Sequence, residues 1–376
     1  MFTLHVDTAR TWRGGQNQAL MTVLGLRVRG HRTVLVAHPD GALAKRAAEG
    51  HDLIRLAPAN EVDFAAGFRF SRILRELKPD IVHAHDPHGV SMAAMALSTM
   101  KAATRPLLVA ARRVDFHLKR HAFSRWKYKQ VDLMICSSDA IRLMAVHDGV
   151  PADRAVTVHE GIDVERVAAM PAADVHKELW LPTGTLVVGN VAALVPHKGQ
   201  RYLIEAAPRV VRALPDTVFL IFGEGPLKAT LQAQIHHLGL DQRVRLVGFR
   251  HDVLALLKSL DVFVLCSVTE GLGTSILDAM AASRPVVGTA AGGIPEAVEH
   301  DVTGLVVPPQ HPGELGDAIL ALLKDPARRA RMGEAGLARA RAHFTADRMV
   351  EETLAAYADL AGRPRAAGNG NSRPPA

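Results

Sequence analysis

Short apolar runs alternate with helix-length amphipathic segments along most of this chain, and this alternation restricts its fold more than any other feature. In the first half, the runs are "FTLHV", "TVLVA", "DIVHA", "PLLVA" and "LMICSS". In the second half, they are "TLVVGNV", "TVFLIFG", "RVRLVG", "DVFVLCS", "PVVG" and "GLVVP". Runs this short and this uniformly apolar are typical of parallel strands with helices on both faces. The pattern therefore predicts an α/β protein with doubly wound parallel sheets.

The alternation begins a second time near Thr185, which indicates two domains. The stretch before it, "PAADVHKELWLPTG", is rich in proline and polar residues and is typical of a linker. A chain of 376 residues is long enough to bury two cores. We predict one domain over residues 1–164 and a second over residues 165–362. Residues 363–376 are rich in glycine, proline and asparagine, and we expect them to be disordered.

Composition narrows the class of protein further. No apolar run reaches the ~18–20 residues of a membrane-spanning helix, and "MFTLHVDTAR" lacks the basic leader of a signal peptide. The formal charge of +7 favours anionic partners, although an arginine-rich composition without any binding role gives the same excess. Cys136 and Cys266 each end a strand-like run, so we expect buried thiols in a reducing compartment, with neither a disulfide nor a metal between them.

Ligands of open parallel sheets bind at the carboxyl ends of the strands, so the loops after strands carry the candidate site residues. After the first strand, Gly14 and Gly15 precede a predicted helix and would let the backbone approach a phosphate; a plain turn has the same spacing. Lys198 lies just before another helix, where the helix dipole disfavours a cation unless an anion is shared. A solvated lysine is the alternative. Gly223 belongs to a third glycine turn, "FGEGP".

The stretch "TEGLGTSILDAMA" places Glu270 after a strand and Asp278 eight positions later. Ser275 and Asp278 have the spacing of a capping box, which alone would account for the aspartate. Capping does not account for an acid outside the helix or for the glycines Gly271 and Gly273. The backbone amides expected to face a phosphate placed there are those of Gly273, Thr274 and Ser275.

Four landmarks in the second half occur in one order: "LVPHKG", "FGEGP", "EGLGTSILDAMA" and "GGIPEAVEHDVTGLVVPP". The first half adds "RGGQ", "PDIVHAHD", "VDLMICSSDAI" and "VHEGID". Together these motifs closely resemble family 4 of the retaining glycosyltransferases, over nearly the whole chain up to about residue 360. The resemblance implies the GT-B fold, in which two Rossmann-like domains face each other across a cleft. It also implies that the last helix, at about residues 345–361, crosses back to the first domain.

The resemblance assigns roles to the loop residues. Glu270 would contact hydroxyl groups of the transferred sugar, Asp278 would contact the ribose of the nucleotide, and Lys198 would neutralise the diphosphate, with Gly14 and Gly15 nearby. We take Glu270 and Lys198 as catalytic residues. The predicted donor-binding set is completed by Gly223, Arg250, Gly271, Gly273, Thr274 and Ser275.

The chain departs from the family pattern at three places. Asp278 replaces the usual second glutamate. Ala193 stands where the family often has an arginine, which loses a charge-assisted contact of roughly 1.5–3 kcal/mol unless Arg201, Arg250 or the first domain supplies the charge. Third, the first domain commonly has a histidine after its "PLLVAA" strand, where "ARRVDFHLKR" offers two arginines and His117. We assign His117 as a third catalytic candidate.

Residues 112–130 are dense in arginine and lysine, with aromatic residues between them. Such a segment suits the anionic head groups of a membrane surface or an acidic acceptor. A solvated basic helix is the alternative, and nucleic acid is not an expected partner because no recognised nucleic-acid module is present. The residues assigned to acceptor or membrane binding are Arg112, Arg113, Lys119, Arg120, Arg125, Trp126 and Lys127.

The motif "VHAHDPHG" holds His83, His85 and His88 with Asp86 and invites a metal interpretation. The family transfers sugar without a bound metal, so we expect no metal, and no cofactor other than a nucleotide-diphosphate sugar as co-substrate. Sugar transfer needs charge stabilised on the leaving diphosphate and a positioned acceptor hydroxyl. The sequence shows no obvious close carboxylate pair of the glycosidase kind.

The leading hypothesis is therefore a retaining, metal-independent glycosyltransferase. It would move a sugar from a nucleotide-diphosphate sugar to a cell-surface glycan or glycolipid of the lipopolysaccharide or exopolysaccharide type. The expected location is the cytoplasm, at the inner face of the cytoplasmic membrane as a peripheral protein. The alternatives are a nucleotide-sugar epimerase of the same fold and a non-catalytic sugar-nucleotide-binding protein, the latter motivated by Ala193 and Asp278.

Overall fold

The computed structural model describes residues 1–47 and 52–363, which form thirteen β-strands and sixteen α-helices. The strands build two fully parallel sheets, and helices cover both faces of each. The predicted α/β class with two doubly wound domains is confirmed. Most of the predicted disordered tail lies outside the described residues.

The first sheet has seven strands in the order β3-β2-β1-β4-β5-β6-β7. Its strands are β1 (Phe2–Asp7), β2 (Arg32–Ala37), β3 (Leu53–Arg55), β4 (Ile81–Ala84), β5 (Leu107–Arg112), β6 (Leu133–Cys136) and β7 (Ala155–Thr157). Its helices are α1 (Gly14–Val28), α2 (Ala42–Ala47), α3 (Phe64–Leu77), α4 (Pro87–Ser98), α5 (Ala122–Lys129) and α6 (Asp139–His147).

The second sheet has six strands in the order β10-β9-β8-β11-β12-β13. Its strands are β8 (Leu186–Val191), β9 (Thr217–Phe222), β10 (Val244–Gly248), β11 (Val262–Leu265), β12 (Val286–Thr289) and β13 (Gly304–Val307). The remaining helices are α7 (Val164–Ala169), α8 (Val175–Glu178), α9 (Gln200–Ala213), α10 (Lys228–His237), α11 (Val253–Leu257), α12 (Thr274–Ala281), α13 (Ile294–Ala297), α14 (Pro312–Leu323), α15 (Pro326–His343) and α16 (Ala346–Gly362).

The sequence of strand β11 is apolar throughout because both of its faces are buried. Phe263 and Leu265 belong to one hydrophobic cluster, whereas Val262 and Val264 belong to another. Successive side chains of a strand point to opposite faces, and both faces of this sheet are covered by helices. A polar residue at any of these four positions would therefore be buried without a partner.

The chain order reverses at one place in each sheet, between β1 and β4 and between β8 and β11. The loops that follow such neighbouring strands diverge and leave a crevice, which is where open parallel sheets bind ligands. In the second domain these two loops carry Lys198 and Glu270. The sheet order alone thus brings together two residues that are far apart in the chain.

Two helices connect the domains. Helix α16 packs against α1 of the first domain, and Tyr357 is fully buried there in a cluster with Leu26 and Ile81. Helix α7, in contrast, packs against α12 of the second domain. The stretch predicted to be a linker is also packed, since Val175 and Leu181 lie in the core of the second domain. Among the described residues, no helix has both the length and the apolar composition needed to cross a bilayer.

Candidate active site

A cleft of about 1710 Å³ lies between the domains, and the loops at both switch points open into it. Ligand pockets commonly measure about 300–1,000 Å³, so this cleft has room for a large ligand and a second molecule beside it. All eleven of the predicted donor-binding residues line it, from both domains. They are Gly14, Gly15, Lys198, Gly223, Arg250, Glu270, Gly271, Gly273, Thr274, Ser275 and Asp278.

Two helix N-termini converge in this cleft. A Cβ atom built on Gly14, at the start of α1, would lie 3.1 Å from Oγ1 of Thr274, at the start of α12. At Gly15 the same construction meets no atom within 4 Å, so that side faces open space. Helix N-termini carry unpaired amide groups and a partial positive charge. The arrangement can bind an anion from both domains at once.

Lys198 and Glu270 form an ion pair at the switch point of the second domain. Lys198 Nζ lies 2.5 Å from Glu270 Oε2, and Ser267 Oγ donates to the same oxygen at 2.8 Å. The second carboxylate oxygen accepts from the backbone amide of Gly271 at 3.3 Å. The side chains of Lys198 and Glu270 are 20% and 10% exposed, so both charges remain accessible from the cleft.

The two glycines beside Glu270 are required by the backbone. A Cβ atom on Gly271 would lie 2.3 Å from the carbonyl oxygen of Arg113, so the two domains approach too closely here for any side chain. Gly273 is the N-cap of α12, with φ of +90°, a conformation that favours glycine. These glycines therefore allow domain contact and helix initiation, whether or not a ligand is bound.

The capping box suggested by Ser275 and Asp278 does not form. Helix α12 begins at Thr274, two residues earlier than such a box would need, and Gly273 provides no side-chain cap. Burial instead raises the pKa of Asp278 to about 7, and the nearby charge of Arg166 opposes this shift only in part. The aspartate is thus a cleft residue held close to its neutral form.

The charge that Ala193 removes is not replaced by either arginine of the second domain. Arg250 donates to Asp252 at 2.7 Å and to Glu178 at 2.9 Å, so its charge is already neutralised. Arg201 pairs with Glu205 on the outer face of α9. The first domain instead brings Arg13 to the cleft, directly before the N-terminus of α1. The sequence motif "RGGQ" contained this residue, but only its glycines were given a role.

The assignment of His117 as a catalytic residue is wrong. Its side chain is 67% exposed, and its Nδ1 atom is 2.8 Å from Asp148 at the end of α6, outside the cleft. Arg113 enters the cleft in its place. Arg113 Nη1 donates to His85 Nδ1 at 3.0 Å, and its Nε lies 3.4 Å from Glu160 Oε1.

Glu160 is a cleft residue that the sequence interpretation missed. It lies beyond the end of β7 and is only 8% exposed. Burial raises its pKa to about 7, because the attraction of Arg113 does not offset the loss of hydration, and Glu270 repels its charge further. An acid in the motif "VHEGID", just after a strand, was the signal that could have identified it.

The basic segment divides into buried and exposed parts. Lys127, predicted to face a membrane or an acceptor, is 2% exposed and donates to Glu61 at 2.7 Å and to Ser91 at 3.1 Å. Arg112 lies in β5 and is 9% exposed, and Trp126 packs partly into the core of the first domain. The assignment of Lys127 is therefore wrong. Arg112 lines the cleft, so its assignment to the acceptor stays a prediction, as does that of Trp126. Three other residues assigned to acceptor or membrane binding are on the surface: Lys119, Arg120 and Arg125.

The histidines of "VHAHDPHG" do not assemble as one cluster. His88 is exposed on α4, and Asp86 caps that helix while accepting from Thr8 at 2.7 Å. A different trio has nitrogen atoms within 4.8 Å of one another, and all three members are buried: His5, His83 and His85. The cation of Arg113 points at this trio, which disfavours a second positive charge there.

Glu296 joins the two domains beside the cleft. Its carboxylate accepts from the backbone amides of Asp139 and Ala140, at the start of α6, at 2.8 and 2.9 Å. His159 Nε2 is 2.9 Å from the same carboxylate. The acid therefore caps a helix of the opposite domain. In the sequence, Glu296 lies in the first turn of its own helix, α13, which gives no sign of this contact with the other domain.

The fold resembles that of two solved structures, one of them a glycosyltransferase. Anabaena HepE in complex with UDP superposes with a TM-score of 0.82 at 22% identity, over 96% of this chain and all of that chain. A glycosyltransferase from Rickettsia africae gives a TM-score of 0.84 at 17% identity, over 96% and 99%. Two Rossmann-like domains arranged in this way across a cleft define the GT-B class.

The sequence places the chain within that class. The profile of glycosyl transferases group 1 matches residues 173–339, and the profile of glycosyltransferase family 4 matches residues 12–166. The two matches together cover both domains and nearly all of the loops that line the cleft. The chain belongs to this glycosyltransferase family.

Two characterised relatives share about half of the chain or less. An α-D-kanosaminyltransferase of Streptomyces kanamyceticus is 40% identical over 151 residues, which is 40% of this chain and 38% of that protein. A GDP-mannose-dependent mannosyltransferase of Corynebacterium glutamicum, named for monoacylated phosphatidylinositol monomannoside, is 36% identical over 201 residues, or 50% and 52% of the two chains. The match thus spans about half or less of the length of these relatives.

Proposed function

We propose that this protein transfers a sugar from a nucleoside-diphosphate sugar to a hydroxyl group of an acceptor, with retention of the anomeric configuration and without a metal ion. The observation that supports this most directly is the Lys198–Glu270 pair, which faces the converging N-termini of α1 and α12. A cation and two helix N-termini suit a diphosphate, and a carboxylate beside them suits the hydroxyl groups of the attached sugar.

The cleft offers a place for each part of such a donor. The diphosphate would lie between Gly15 and Thr274, with Lys198 on one side and Arg13 on the other. Asp278, one helical turn further along α12, would accept from the ribose hydroxyls. Phe249 is 56% exposed and lines the same cleft, so its ring can stack on the nucleobase.

Catalysis would depend on stabilising the negative charge of the leaving diphosphate. As the bond to the sugar breaks, negative charge grows on the diphosphate, and fixed donors aimed at it lower the barrier. Lys198 and the amides at the start of α12 supply these donors, and they do the work that a divalent cation performs in other transferases. The acceptor proton would pass to the departing phosphate oxygen on the same face of the sugar, so no separate base is required.

A donor panel tests this function. The protein would be incubated with UDP-, GDP- and ADP-linked sugars in the presence of EDTA, with and without extracted membrane glycolipid, and the products resolved by mass spectrometry and NMR. Transfer or slow donor hydrolysis that survives EDTA supports the proposal. An epimeric donor formed without acceptor would indicate the epimerase, and nucleotide binding without any turnover would indicate a binding protein.

For the acceptor, we propose a cell-envelope glycolipid or glycan of the lipopolysaccharide or exopolysaccharide type, reached from the cytoplasmic face of the membrane. The named substrate of the Corynebacterium relative, a phosphatidylinositol mannoside, supports a lipid-linked acceptor. The buried free thiols Cys136 and Cys266, whose pKa values burial raises to about 12, suit a reducing compartment.

The surface of the first domain supports a membrane-facing orientation. Lys119 lies 3.9 Å from Glu61, just before α3, whose Phe64 and Phe68 are 72% and 59% exposed. Exposed aromatic rings beside exposed cations suit an anionic lipid surface. Co-sedimentation with phosphatidylglycerol vesicles and not with phosphatidylcholine vesicles is the expected result. Equal sedimentation with both, or with neither, contradicts the membrane proposal and leaves the transfer reaction untouched.

A further inference from the structure

We propose that Glu160, held in place by Arg113, is a second acid of the reaction centre, which binds a hydroxyl group of the transferred sugar from the side opposite Glu270. The inference rests on the proposed function and adds a sugar-recognition residue to it. Glu270 comes from the second domain, whereas Glu160 follows β7 of the first sheet. The hydroxyl groups of the sugar would then be hydrogen-bonded by two carboxylates from opposite walls of the cleft.

The position of Glu160 supports this role. Its carboxyl group lines the cleft and lies close enough to Glu270 and Lys198 for their charges to act on it. The sugar of a donor whose diphosphate lies beside Lys198 would occupy the space in front of Glu270. The carboxylate of Glu160 borders that same space, and a carboxylate accepts hydrogen bonds from hydroxyl groups.

Arg113 is held in place by a hydrogen bond to His85, and its ion pair with Glu160 holds that carboxylate in turn. Because a guanidinium can only donate, His85 Nδ1 must accept from Arg113 at 3.0 Å. His85 Nε2 then carries the hydrogen and donates to His5 Nδ1 at 2.9 Å, and His5 donates to Thr3 Oγ1 at 3.0 Å. Burial and the nearby cation lower the pKa of His5 to about 3 and that of His85 well below its usual value.

This chain of neutral histidines has a single arrangement of donors. Its members are positioning residues, since they act by supporting Arg113 from behind; only His85, which contacts Arg113 directly, also lines the cleft. Arg113 cannot turn away without leaving buried nitrogen atoms unpaired, which is costly. A side chain held this firmly is suited to orient a carboxylate within the narrow tolerance that sugar recognition requires.

A small cavity lies on the other side of the pair and measures about 20 Å³. Its polar lining includes His83, Ser137, Arg113 and Glu160, and its apolar lining consists of Ile135, Val158 and Met349. Within the described residues, His83 Nε2 and Ser137 Oγ have no hydrogen-bond partner, and both belong to residues of this lining. A cavity of this size and polarity accommodates one water molecule, which could bond to the inner side of Glu160. The outer side would then remain free for a ligand in the cleft.

The test compares nucleotides with nucleotide sugars. Affinities for UDP, GDP and ADP, and for UDP-glucose, GDP-mannose and ADP-glucose, would be measured by calorimetry at pH 8, where Glu160 is ionised. Three proteins are compared: the unaltered chain, Glu160→Gln, and the control Glu314→Gln, whose carboxylate is on the surface of α14. Glutamine keeps the shape of the side chain but loses its charge.

We expect Glu160→Gln to keep its nucleotide affinity within about twofold and to lose roughly tenfold or more of its affinity for the matching nucleotide sugar, as for a charge-assisted hydrogen bond. Glu314→Gln should change neither. Equal losses for nucleotide and nucleotide sugar, or no loss for either, would overturn the inference. If the unaltered chain binds none of the nucleotides, the proposed function itself fails, which is a distinct outcome.

Deoxyfluoro analogues of the donor sugar sharpen the result. One analogue lacks the hydroxyl group that Glu160 is proposed to bind. The unaltered chain should bind this analogue more weakly than the natural donor, whereas Glu160→Gln should bind the two equally well. If every analogue weakens both proteins by the same factor, the hydroxyl groups and Glu160 act independently, and the inference is wrong.

Discussion

The ammonium group of Lys198 lies 2.5 Å from the carboxylate of Glu270, so each charge is the partner of the other. Both residues follow strands at the point where the order of the second sheet reverses. A donor entering this site would exchange the pairing for two new ones, diphosphate with Lys198 and sugar hydroxyl with Glu270. The ion pair holds the side chains of Lys198 and Glu270 in position, and neither charge is left unpaired.

This pair should be essential for turnover. We expect Lys198→Ala and Glu270→Ala each to lower kcat by roughly 10²–10³-fold, the effect of removing one group that stabilises a charged transition state. The double variant should be little worse than the single ones, because the residues act as a unit. Circular dichroism and melting temperature would verify that the fold is intact. Near-normal turnover in both single variants is incompatible with the site described.

Asp278 makes stability depend on pH. Its pKa rises from the model-compound value of 3.8 to about 7 on folding, so the folded state binds the proton more tightly than the unfolded chain does. Stability from this group is therefore fully present below about pH 4 and is lost as the pH rises to about 7. Asp278→Asn should melt at a higher temperature than the unaltered chain at pH 8 and show a smaller difference at pH 5.

The surface residue Asp317, which pairs with Arg209, provides the control for this measurement. Asp317→Asn should shift the melting temperature little and by similar amounts at both pH values. If Asp278→Asn behaves in the same way as this control, the aspartate is hydrated and not held near its neutral form.

Glu296 should hold the cleft closed. It accepts charge-assisted hydrogen bonds from Asp139 and Ala140 of the other domain, each worth roughly 1.5–3 kcal/mol. Glu296→Ala should raise the radius of gyration measured by small-angle X-ray scattering, because the domains separate. Glu299→Ala, which removes a pair with Arg339 inside the second domain, should leave it unchanged. An unchanged scattering profile for Glu296→Ala would mean that other contacts suffice for closure.

Lys127 and Lys119 should respond in opposite ways to two assays. Lys127→Ala removes a buried cation from Glu61 and should cost roughly 2–3 kcal/mol of unfolding free energy in a urea titration. Lys119→Ala should cost less than about 0.5 kcal/mol, since its contact with the same acid is exposed and 3.9 Å long. Binding to phosphatidylglycerol vesicles should weaken for Lys119→Ala only. A large loss of stability for Lys119→Ala would reverse this division of roles.

The sequence predicted most of the fold for a simple reason. A strand covered on both faces is predominantly apolar, so eleven of the thirteen strands stood out as apolar runs. The two that escaped notice, β3 and β7, are three residues long and only partly buried. A segment this short carries too few side chains for a periodic pattern.

The site was predictable where its residues lie in local motifs. Lys198, Glu270 and their glycines follow strands directly, and the sheet order brings them together. Arg13 and Glu160 also lie in loops after strands, but they were not assigned. Glu160 follows β7, which is only three residues long and did not stand out as a strand.

The error at Lys127 has a related cause. Whether a lysine is buried depends on a partner that is distant in the chain. Lys127 is buried because Glu61, in the loop before α3, reaches its ammonium group. Helical period and charge density alone do not contain that information, so Lys127 read as a surface residue.

The most direct test of the central claim is calorimetric titration of the unaltered chain and of Lys198→Ala with UDP, GDP and ADP. The Lys198–Glu270 pair and the N-termini of α1 and α12 should form a diphosphate site, so one of these nucleotides should bind the unaltered chain. Its affinity should fall by roughly tenfold or more in Lys198→Ala, as expected for a lost charge-assisted contact. Binding of none of the three, or equal binding to both proteins, would contradict the account.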